Sequence, residues 1–133
     1  MRVFLDTNVL ASALATRGLC AALFEAVLVE HDLLASAEVL AELRRVLTEK
    51  FHLPSPTTEA FIRLVADSAE MVSGGERGVP GVPDPDDGPL VAAALAGGAA
   101  CFVTGDKALL AWGGTAGLPM RSPRQFWEDT RLR

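Results

Sequence analysis

Apolar residues recur along this chain at two different spacings, and each spacing predicts one kind of secondary structure. Short, nearly continuous apolar runs are typical of buried strands, whereas apolar residues three or four positions apart indicate helices with one buried face. The short runs predict strands at residues 2–6, 32–35, 69–72, 100–104 and near 119–121. The longer segments predict helices at residues 8–15, 19–30, 36–50, 55–68, 87–96 and 106–112, with a last helix after Ser122. Strand and helix signals therefore alternate from one end of the chain to the other.

This alternation is typical of an α/β fold. We expect an α/β/α sandwich with a central parallel sheet of four to five strands. The chain has 133 residues, of which 50% are hydrophobic, and we interpret residues 1–133 as a single domain. Gly and Pro crowd the segment 73–83, which is too short to link two domains and is predicted to be a loop.

Acidic residues follow two of the predicted strands. Asp6 closes the first strand, and Asp106 comes just after the strand at 100–104. In open α/β sheets, ligands bind beyond the carboxyl ends of the strands, so these two side chains should converge. Asp87 would open a helix whose N-terminal amides tolerate negative charge. Glu42 lies at the border of a core-facing helical stripe and can lean over the same edge of the sheet.

These four acids would repel one another if they met without a cation, and each would raise the pKa of its neighbours. Oxygen ligands with no His or Cys nearby select Mg²⁺ or Mn²⁺ over Zn²⁺. Each element also has an ordinary structural interpretation. Asp6 can cap a helix, the segment 84–89 can be a turn followed by a cap, and Glu42 can be a solvated charge. The combination of all three favours a metal site.

Four segments of the chain resemble the PIN-domain ribonucleases, and in particular the VapC-like toxin components of toxin–antitoxin pairs. They stand in the family's order and span the chain, at residues 3–10 (VFLDTNVL), 36–43 (SAEVLAEL), 84–95 (DPDDGPLVAAAL) and 102–107 (FVTGDK). The resemblance implies a PIN-like sandwich and a nuclease that depends on divalent metal. Its implied reaction is hydrolysis of phosphodiester bonds in single-stranded RNA, which would leave a 5′-phosphate.

The same resemblance assigns roles to individual residues. The catalytic and metal-binding acids would be Asp6, Glu42, Asp87 and Asp106, and the polar residues supporting them would be Asn8 and Thr104. The third acid stays open, because Asp84 or Asp86 could reach the same site as Asp87. One cation or a pair would activate a water for in-line attack and offset charge on the leaving 3′ oxygen.

The charge balance is unfavourable for a general nucleic-acid binder. Lys and Arg number 12 against 17 Asp and Glu, which gives a formal net charge of −5. Basic residues that could contact RNA are Arg17, Arg44, Arg45, Lys107 and Arg121, although each can equally be a solvated helix charge. With 6% aromatic residues and no Tyr, no base-stacking platform is visible, so recognition would rest on the RNA backbone and shape.

Partners and location are expected from composition and from the family resemblance. The helix that carries Phe61, Ile62, Leu64 and Val65 is apolar over much of its circumference, which suits contact with a second subunit or an antitoxin protein. The resemblance also implies a homodimer. No apolar run reaches the roughly 20 residues of a membrane span, so no membrane contact is expected. The rarity of cysteine, with 2 in the chain, suits a reducing cytoplasm.

Two other functions are compatible with an aspartate at the end of a strand. One is a phosphoryl-transfer domain, phosphatase-like or receiver-like, that would use Asp6. The local pattern disfavours it, because a phosphatase expects a second Asp where this chain has Asn8, and a receiver expects an acidic pair on its first loop. The other is a non-catalytic metal-binding module, in which the acidic pocket serves binding or stability alone.

Overall fold

A mixed sheet with helices packed on it forms the centre of the computed structural model, which describes residues 1–115 and 117–131. Six strands of the described chain follow the order β3-β2-β1-β4-β6-β5 across the sheet. They are β1 (Arg2–Leu5), β2 (Asp32–Ala35), β3 (Glu70–Met71), β4 (Cys101–Val103), β5 (Gly114–Thr115) and β6 (Leu118–Arg121). All neighbouring pairs are parallel except β5 and β6, which form an antiparallel pair.

The helices begin and end close to the predicted positions. They are α1 (Thr7–Ala15), α2 (Leu19–Glu30), α3 (Ala37–Glu49), α4 (Ser55–Ser68), α5 (Gly88–Ala96), α6 (Lys107–Trp112) and α7 (Pro123–Arg131), with a single 3₁₀ turn at Pro85–Asp87. Ser36 caps α3 by accepting a hydrogen bond from the backbone N–H of Val39 at 3.1 Å. Ser122 and Gln125 form the reciprocal capping box expected before the last helix, at 2.8 and 3.0 Å.

The predicted α/β/α sandwich with four to five parallel strands is confirmed. The short strand β5 was not predicted. It contains only two residues, pairs with β6, and follows Gly113, which ends α6 with a positive φ of 82°. A two-residue strand is too short to show any hydrophobic periodicity, so the sequence pattern could not predict it.

The strand order reverses at β1, and this reversal positions the candidate site. From β1 the chain first builds the sheet outward through β2 and β3, and then adds β4 and β6 on the other side of β1. The carboxyl ends of β1 and β4 therefore lie side by side, with Leu5 opposite Val103. In parallel α/β sheets, such a reversal opens a crevice in which ligands bind.

Aromatic and aliphatic side chains lock β1 and β4 together beneath this crevice. Phe4 and Phe102 are fully buried on facing positions of the two strands, and their rings stack with centroids 5.3 Å apart. Helix α5 is buried along five consecutive residues from Leu90 to Ala94. The strand ends are thus held in place by the core, which fixes the positions of the polar residues that follow them.

The structure also bears on the two cysteines and on possible membrane-spanning helices. Both cysteines are free thiols, with Cys101 buried and Cys20 half-buried against the core. Within the described ranges, no single helix is long and apolar enough to cross a membrane. Helices α1 and α2 pass that test only when taken together, by length and composition, and they are bent by 107° at the break between them.

Candidate functional site

Asp6 lies at the centre of the crevice and is 5% exposed. Its backbone N–H donates to the carbonyl of Val103 at 2.9 Å, which ties the end of β1 to the end of β4. One carboxylate oxygen, Oδ1, accepts a hydrogen bond from the backbone N–H of Thr7 at 2.8 Å and so caps α1. The other, Oδ2, accepts from the hydroxyl of Thr104 at 2.7 Å. The carboxylate is therefore held in one orientation by two short hydrogen bonds.

Thr104 links the two strand-end acids. Its side chain is fully buried, and its Oγ1 donates to Asp6 while accepting from the backbone N–H of Asp106 at 3.0 Å. Asp106 in turn accepts a hydrogen bond from the backbone N–H of Leu109 at 3.0 Å and caps α6. The Thr104 hydroxyl thus connects the Asp6 carboxylate to the backbone of Asp106 and fixes the distance between them.

Asp87 approaches the same crevice from the 3₁₀ turn. It stands directly before α5, and its carboxylate makes no capping hydrogen bond. The pKa of Asp87 is raised from 3.8 to about 6, mainly by partial burial and then by the negative charges of Asp6, Asp84, Asp106 and Glu42. The carboxylate of Asp87 thus lies within electrostatic reach of all three other predicted acids.

Burial is also the main cause of a raised pKa at Asp6. The hydrogen bonds from Thr104 and Thr7 lower the pKa and partly offset this effect, whereas the charges of Glu42 and Asp106 raise it further. The charges of neighbouring acids therefore disfavour the ionised forms of Asp6 and Asp87 when no cation is present. Their catalytic and metal-binding roles stay predictions.

The remaining predicted site residues lie at the margin of this cluster. Asn8 is exposed in the first turn of α1, and Glu42 is half-buried on α3. Asp84 and Asp86 are exposed, and Asp84 Oδ1 accepts from the backbone N–H of Asp86 at 2.9 Å. Asp84 therefore has a local structural task as the cap of the 3₁₀ turn, while Asp87 has none. This difference favours Asp87 as the third acid.

The donor chemistry of the cluster fits a divalent cation, since all four side chains are carboxylates with oxygen donors. As placed, however, no three His, Cys, Asp or Glu side chains within residues 1–115 and 117–131 are close enough to hold one ion together. Asp6 and Asp106 are fixed by hydrogen bonds, whereas neither Glu42 nor Asp87 forms a side-chain hydrogen bond with another described residue. The latter two can therefore turn toward a cation held by the first two.

One buried hydroxyl beside Asp6 was not singled out from the sequence. Thr7 is fully buried, and its Oγ1 has no hydrogen-bond partner among the described residues. A buried hydroxyl without a partner normally costs free energy, so an orphaned one next to a predicted metal ligand is notable. The sequence pattern offers no signal for it, because a Thr at the start of a helix usually faces solvent or a backbone amide.

Some of the basic residues predicted to contact RNA form ion pairs within the protein, and others do not. Arg44 is held by Glu59 through two hydrogen bonds of 2.8 and 3.0 Å. Arg45 pairs with Glu49 at 3.6 Å, and Arg121 with Asp129 at 3.5 Å. The other two candidates, Arg17 and Lys107, are exposed. RNA contact by any of them stays a prediction.

The raised pKa values predict how the stability of the metal-free protein depends on pH. A carboxyl group with a higher pKa in the folded state binds more protons when folded, so the free energy of unfolding falls as pH rises through that window. For Asp87 the window runs from about pH 4 to pH 6. We expect the Asp87→Asn variant to unfold at a temperature higher than the wild type at pH 7, by about 2–4 °C because the group is only partly buried.

The difference between the two proteins isolates this contribution. Glu59 and Glu70 have lowered pKa values because each accepts hydrogen bonds from an arginine, and their stabilisation is lost as pH falls. They occur in both proteins and cancel in the comparison. Thermal unfolding in EDTA at pH 4 and pH 7 measures the effect. An equal gap between wild type and variant at both pH values would contradict it.

The sequence matches the family model described as PIN domain over residues 2–108. The chain therefore belongs to the PIN domain family, which confirms the resemblance seen in its four motif segments. PIN domains are generally nucleases that act on phosphodiester bonds, and they typically depend on divalent metal. Membership in this family favours the nuclease interpretation over a phosphatase-like or receiver-like domain.

The fold is also similar to a solved structure, that of VapBC2 from Rickettsia felis bound to a DNA fragment from their promoter. The match has a TM-score of 0.64 and 14% sequence identity, and it covers 92% of this chain and 98% of that chain. At this identity the likeness shows a shared fold alone. No curated protein sequence matches this chain significantly.

Proposed function

We propose that this protein is a divalent-metal-dependent endoribonuclease that hydrolyses phosphodiester bonds of single-stranded RNA, with Mg²⁺ or Mn²⁺ as its cofactor. The observation that carries the proposal is the hydrogen-bonded link from Asp6 through Thr104 to Asp106 at the strand-order reversal. The charge of Glu42 raises the pKa of both Asp6 and Asp87, and the charge of Asp6 also raises the pKa of Asp87. Membership in a family of nucleases supports the same reaction class.

The roles of the side chains follow from how firmly each is held. Asp6 and Asp106 would bind the cation first, because hydrogen bonds already fix both carboxylates. Glu42 and Asp87 would complete the ligand set by turning inward. When bound, the cation would activate a water and offset the charge that develops on the leaving 3′ oxygen.

The chain's own groups would direct the attack. Where Glu42 alone completes the ligand set, Asp87, whose carboxylate has no hydrogen bond to a described residue, would instead accept a proton or a hydrogen bond from the attacking water. The new bond forms between the water oxygen and phosphorus, and the bond from phosphorus to the 3′ oxygen breaks. The products are a 5′-phosphate and a 3′-hydroxyl.

The biological setting is part of the same proposal. We infer that the protein is the cytoplasmic toxin of a toxin–antitoxin pair and that it works as a homodimer restrained by an antitoxin protein. The shared fold with a chain of the VapBC2 structure is consistent with this setting. On α4, Phe61, Ile62 and Val65 are buried in the core, whereas Leu64 is 46% exposed. Leu64 is thus the large apolar residue of that helix with surface left for a partner, beside the exposed Pro56 and Ala60.

The proposed reaction is tested by incubating antitoxin-free protein with end-labelled single-stranded RNA in Mn²⁺, Mg²⁺ or EDTA. We expect cleavage with either metal, none in EDTA, and products that a 5′-phosphate-dependent exonuclease degrades. Cleavage that continues in EDTA, or products with 2′,3′-cyclic phosphate ends, would contradict the metal-dependent mechanism. Metal binding without cleavage of any RNA would support the non-catalytic module instead.

Removal of the linking hydroxyl should lower activity without removing any acid. The Thr104→Val variant keeps the side-chain shape but loses the donor to Asp6 and the acceptor for the Asp106 amide. We expect cleavage to fall about 10–100-fold, the typical cost of losing a group that orients a metal ligand. The Thr104→Ser variant keeps the hydroxyl and serves as the matched control. Equal activity in both variants, with both folded by circular dichroism, would show that the hydroxyl does not orient the acids.

A further inference from the structure

A cavity of about 480 Å³ lies beside the acidic cluster, between the loop at 73–83 and the start of α5. Loop residues 75–79 and Val82 form one side, and Pro85, Gly88 and Pro89 form the other. A volume of this size is within the range of small-molecule binding sites, roughly 300–1,000 Å³. None of the sequence motifs assigned a function to the loop at 73–83.

The cavity and the candidate site share the 3₁₀ turn. Pro85 belongs to this turn and Gly88 follows it directly, and both are wall residues of the cavity. Asp87 stands between them and lies within electrostatic reach of Asp6 and Asp106. The cavity therefore adjoins the turn that carries Asp87, where it could receive the nucleotide next to one bound at the acidic cluster.

The loop is anchored at both ends, so the cavity is a built feature of the fold. A Cβ atom at Gly74 would lie 2.6 Å from the backbone carbon of Ala92, so the chain there touches α5 without room for a side chain. Gly81 has a φ of +87°, and a Cβ atom there would lie 3.1 Å from Nε1 of Trp112 on α6. The segment between these contacts forms one wall of the cavity, and Val79 within it and Val82 directly after it pack on the core.

Arg77 supplies the cavity with an uncommitted positive charge. It lines the wall and forms no ion pair with any described residue, unlike Arg44, Arg45 and Arg121. A free guanidinium suits phosphate, which it can bind through two parallel hydrogen bonds. Glu76 lines the same wall and carries the opposite charge, so the cavity offers one cation that attracts a phosphate and one anion that opposes it.

We propose that this cavity binds the nucleotide next to the scissile bond, with Arg77 paired to its phosphate group. The inference rests on the proposed ribonuclease function and names the part of the substrate that this second site holds. It also accounts for how a chain with a net charge of −5 retains RNA near four acids. The positive charge of Arg77 in the cavity wall would offset part of the repulsion between the acidic protein and the RNA backbone.

The proposal is tested by equilibrium binding of fluorescent single-stranded RNA in Ca²⁺ at several salt concentrations, with anisotropy as the readout. We expect the Arg77→Gln variant to bind about tenfold more weakly than wild type. Its salt dependence of log K should be shallower by about 0.7, the contribution of one phosphate contact on a single strand. The Arg63→Gln variant makes the same charge change at an exposed position of α4 and should bind like wild type. The Glu76→Gln variant should bind as tightly as wild type or more tightly.

Steady-state cleavage in Mn²⁺ separates this inference from the proposed function. Arg77→Gln should raise KM about tenfold with kcat nearly unchanged, because Arg77 would bind the RNA phosphate equally strongly in the ground state and in the transition state. If wild type cleaves RNA and Arg77→Gln matches it in KM, affinity and salt slope, the nucleotide site is overturned while the ribonuclease stands. If RNA binding depends on Arg77 but no RNA is cut, the site stands and the ribonuclease falls. Absence of RNA binding by wild type overturns the site.

Discussion

Replacement of Asp6 by asparagine should reduce metal-dependent RNA cleavage by at least about 10³-fold, since a catalytic metal supplies several kcal/mol of stabilisation to the transition state. The substitution keeps the size of the side chain and leaves an oxygen that can accept from Thr7 or Thr104. It removes the negative charge that the cation needs at the centre of the crevice. Single-turnover cleavage of labelled RNA measures the loss.

Loss of activity in this variant should not come from unfolding. Burial and neighbouring acids raise the pKa of Asp6, so its ionised form opposes folding when no cation is bound. The metal-free Asp6→Asn protein should therefore be at least as thermally stable as the wild type. The Asp67→Asn variant removes the same charge from the exposed face of α4 and should cleave RNA normally. Retention of half the wild-type rate in Asp6→Asn would show that the metal is not held at this carboxylate.

Replacement of Asp87 by asparagine should lower cleavage by about 10²-fold or more, because it removes a ligand or a proton acceptor for the attacking water. The sequence could not decide whether Asp84, Asp86 or Asp87 is the third acid of the site, and this variant tests Asp87. Asp87 is half-buried and its pKa is raised in part by the charges of Asp6 and Asp106, whereas Asp84 and Asp86 are exposed. The measurement is the same single-turnover cleavage at saturating Mn²⁺.

The neighbouring acids serve as matched controls. Asp86 is exposed, and Asp86→Asn should change the rate by no more than about twofold, as is usual for a surface substitution. Asp84 caps the 3₁₀ turn, a role that asparagine fills equally well, so Asp84→Asn should also stay active. If Asp86→Asn lost activity and Asp87→Asn kept it, the third acid would have been assigned to the wrong residue.

The sequence predicted the fold well where local patterns were long and regular. The strands β1 and β4 are short apolar runs, and the segments between the strands have helical spacing, so both the element order and the parallel sheet could be predicted. The position of the crevice also followed, since it depends on the carboxyl ends of parallel strands. The two-residue strand β5 could not be predicted, because its pairing with β6 depends on tertiary contacts rather than on its own residues.

The side-chain contacts within the site could not be predicted from the sequence, because they join residues that are close only in the folded chain. Thr104 was predicted as a supporting residue, but its simultaneous contacts with Asp6 and the Asp106 amide depend on the register that sets Leu5 opposite Val103. The pairing of Arg45 with Glu49 was readable as a helical i,i+4 contact. The pairing of Arg44 with Glu59 joins two helices and was not.

Arg77 illustrates the limit of pattern-based analysis. It lies in a segment rich in Gly and Pro that has no hydrophobic periodicity, so the sequence predicted only a loop. Its interest comes from two facts that appear only in the folded chain, the cavity beside the 3₁₀ turn and the lack of an ion-pair partner among the described residues. Arg77 stands shortly before the motif segment at 84–95, and the folded chain places residues of both on the wall of one cavity.

The measurement that tests the central claim most directly is the cleavage rate of single-stranded RNA as Mn²⁺ is added back to EDTA-treated protein, for wild type and Asp6→Asn side by side. We expect the wild-type rate to rise with Mn²⁺ and saturate, while the rate of the variant stays near the uncatalysed rate at every concentration. Cleavage by wild type before Mn²⁺ is added, or an identical rise in Asp6→Asn, would contradict a metal-dependent ribonuclease centred on this crevice.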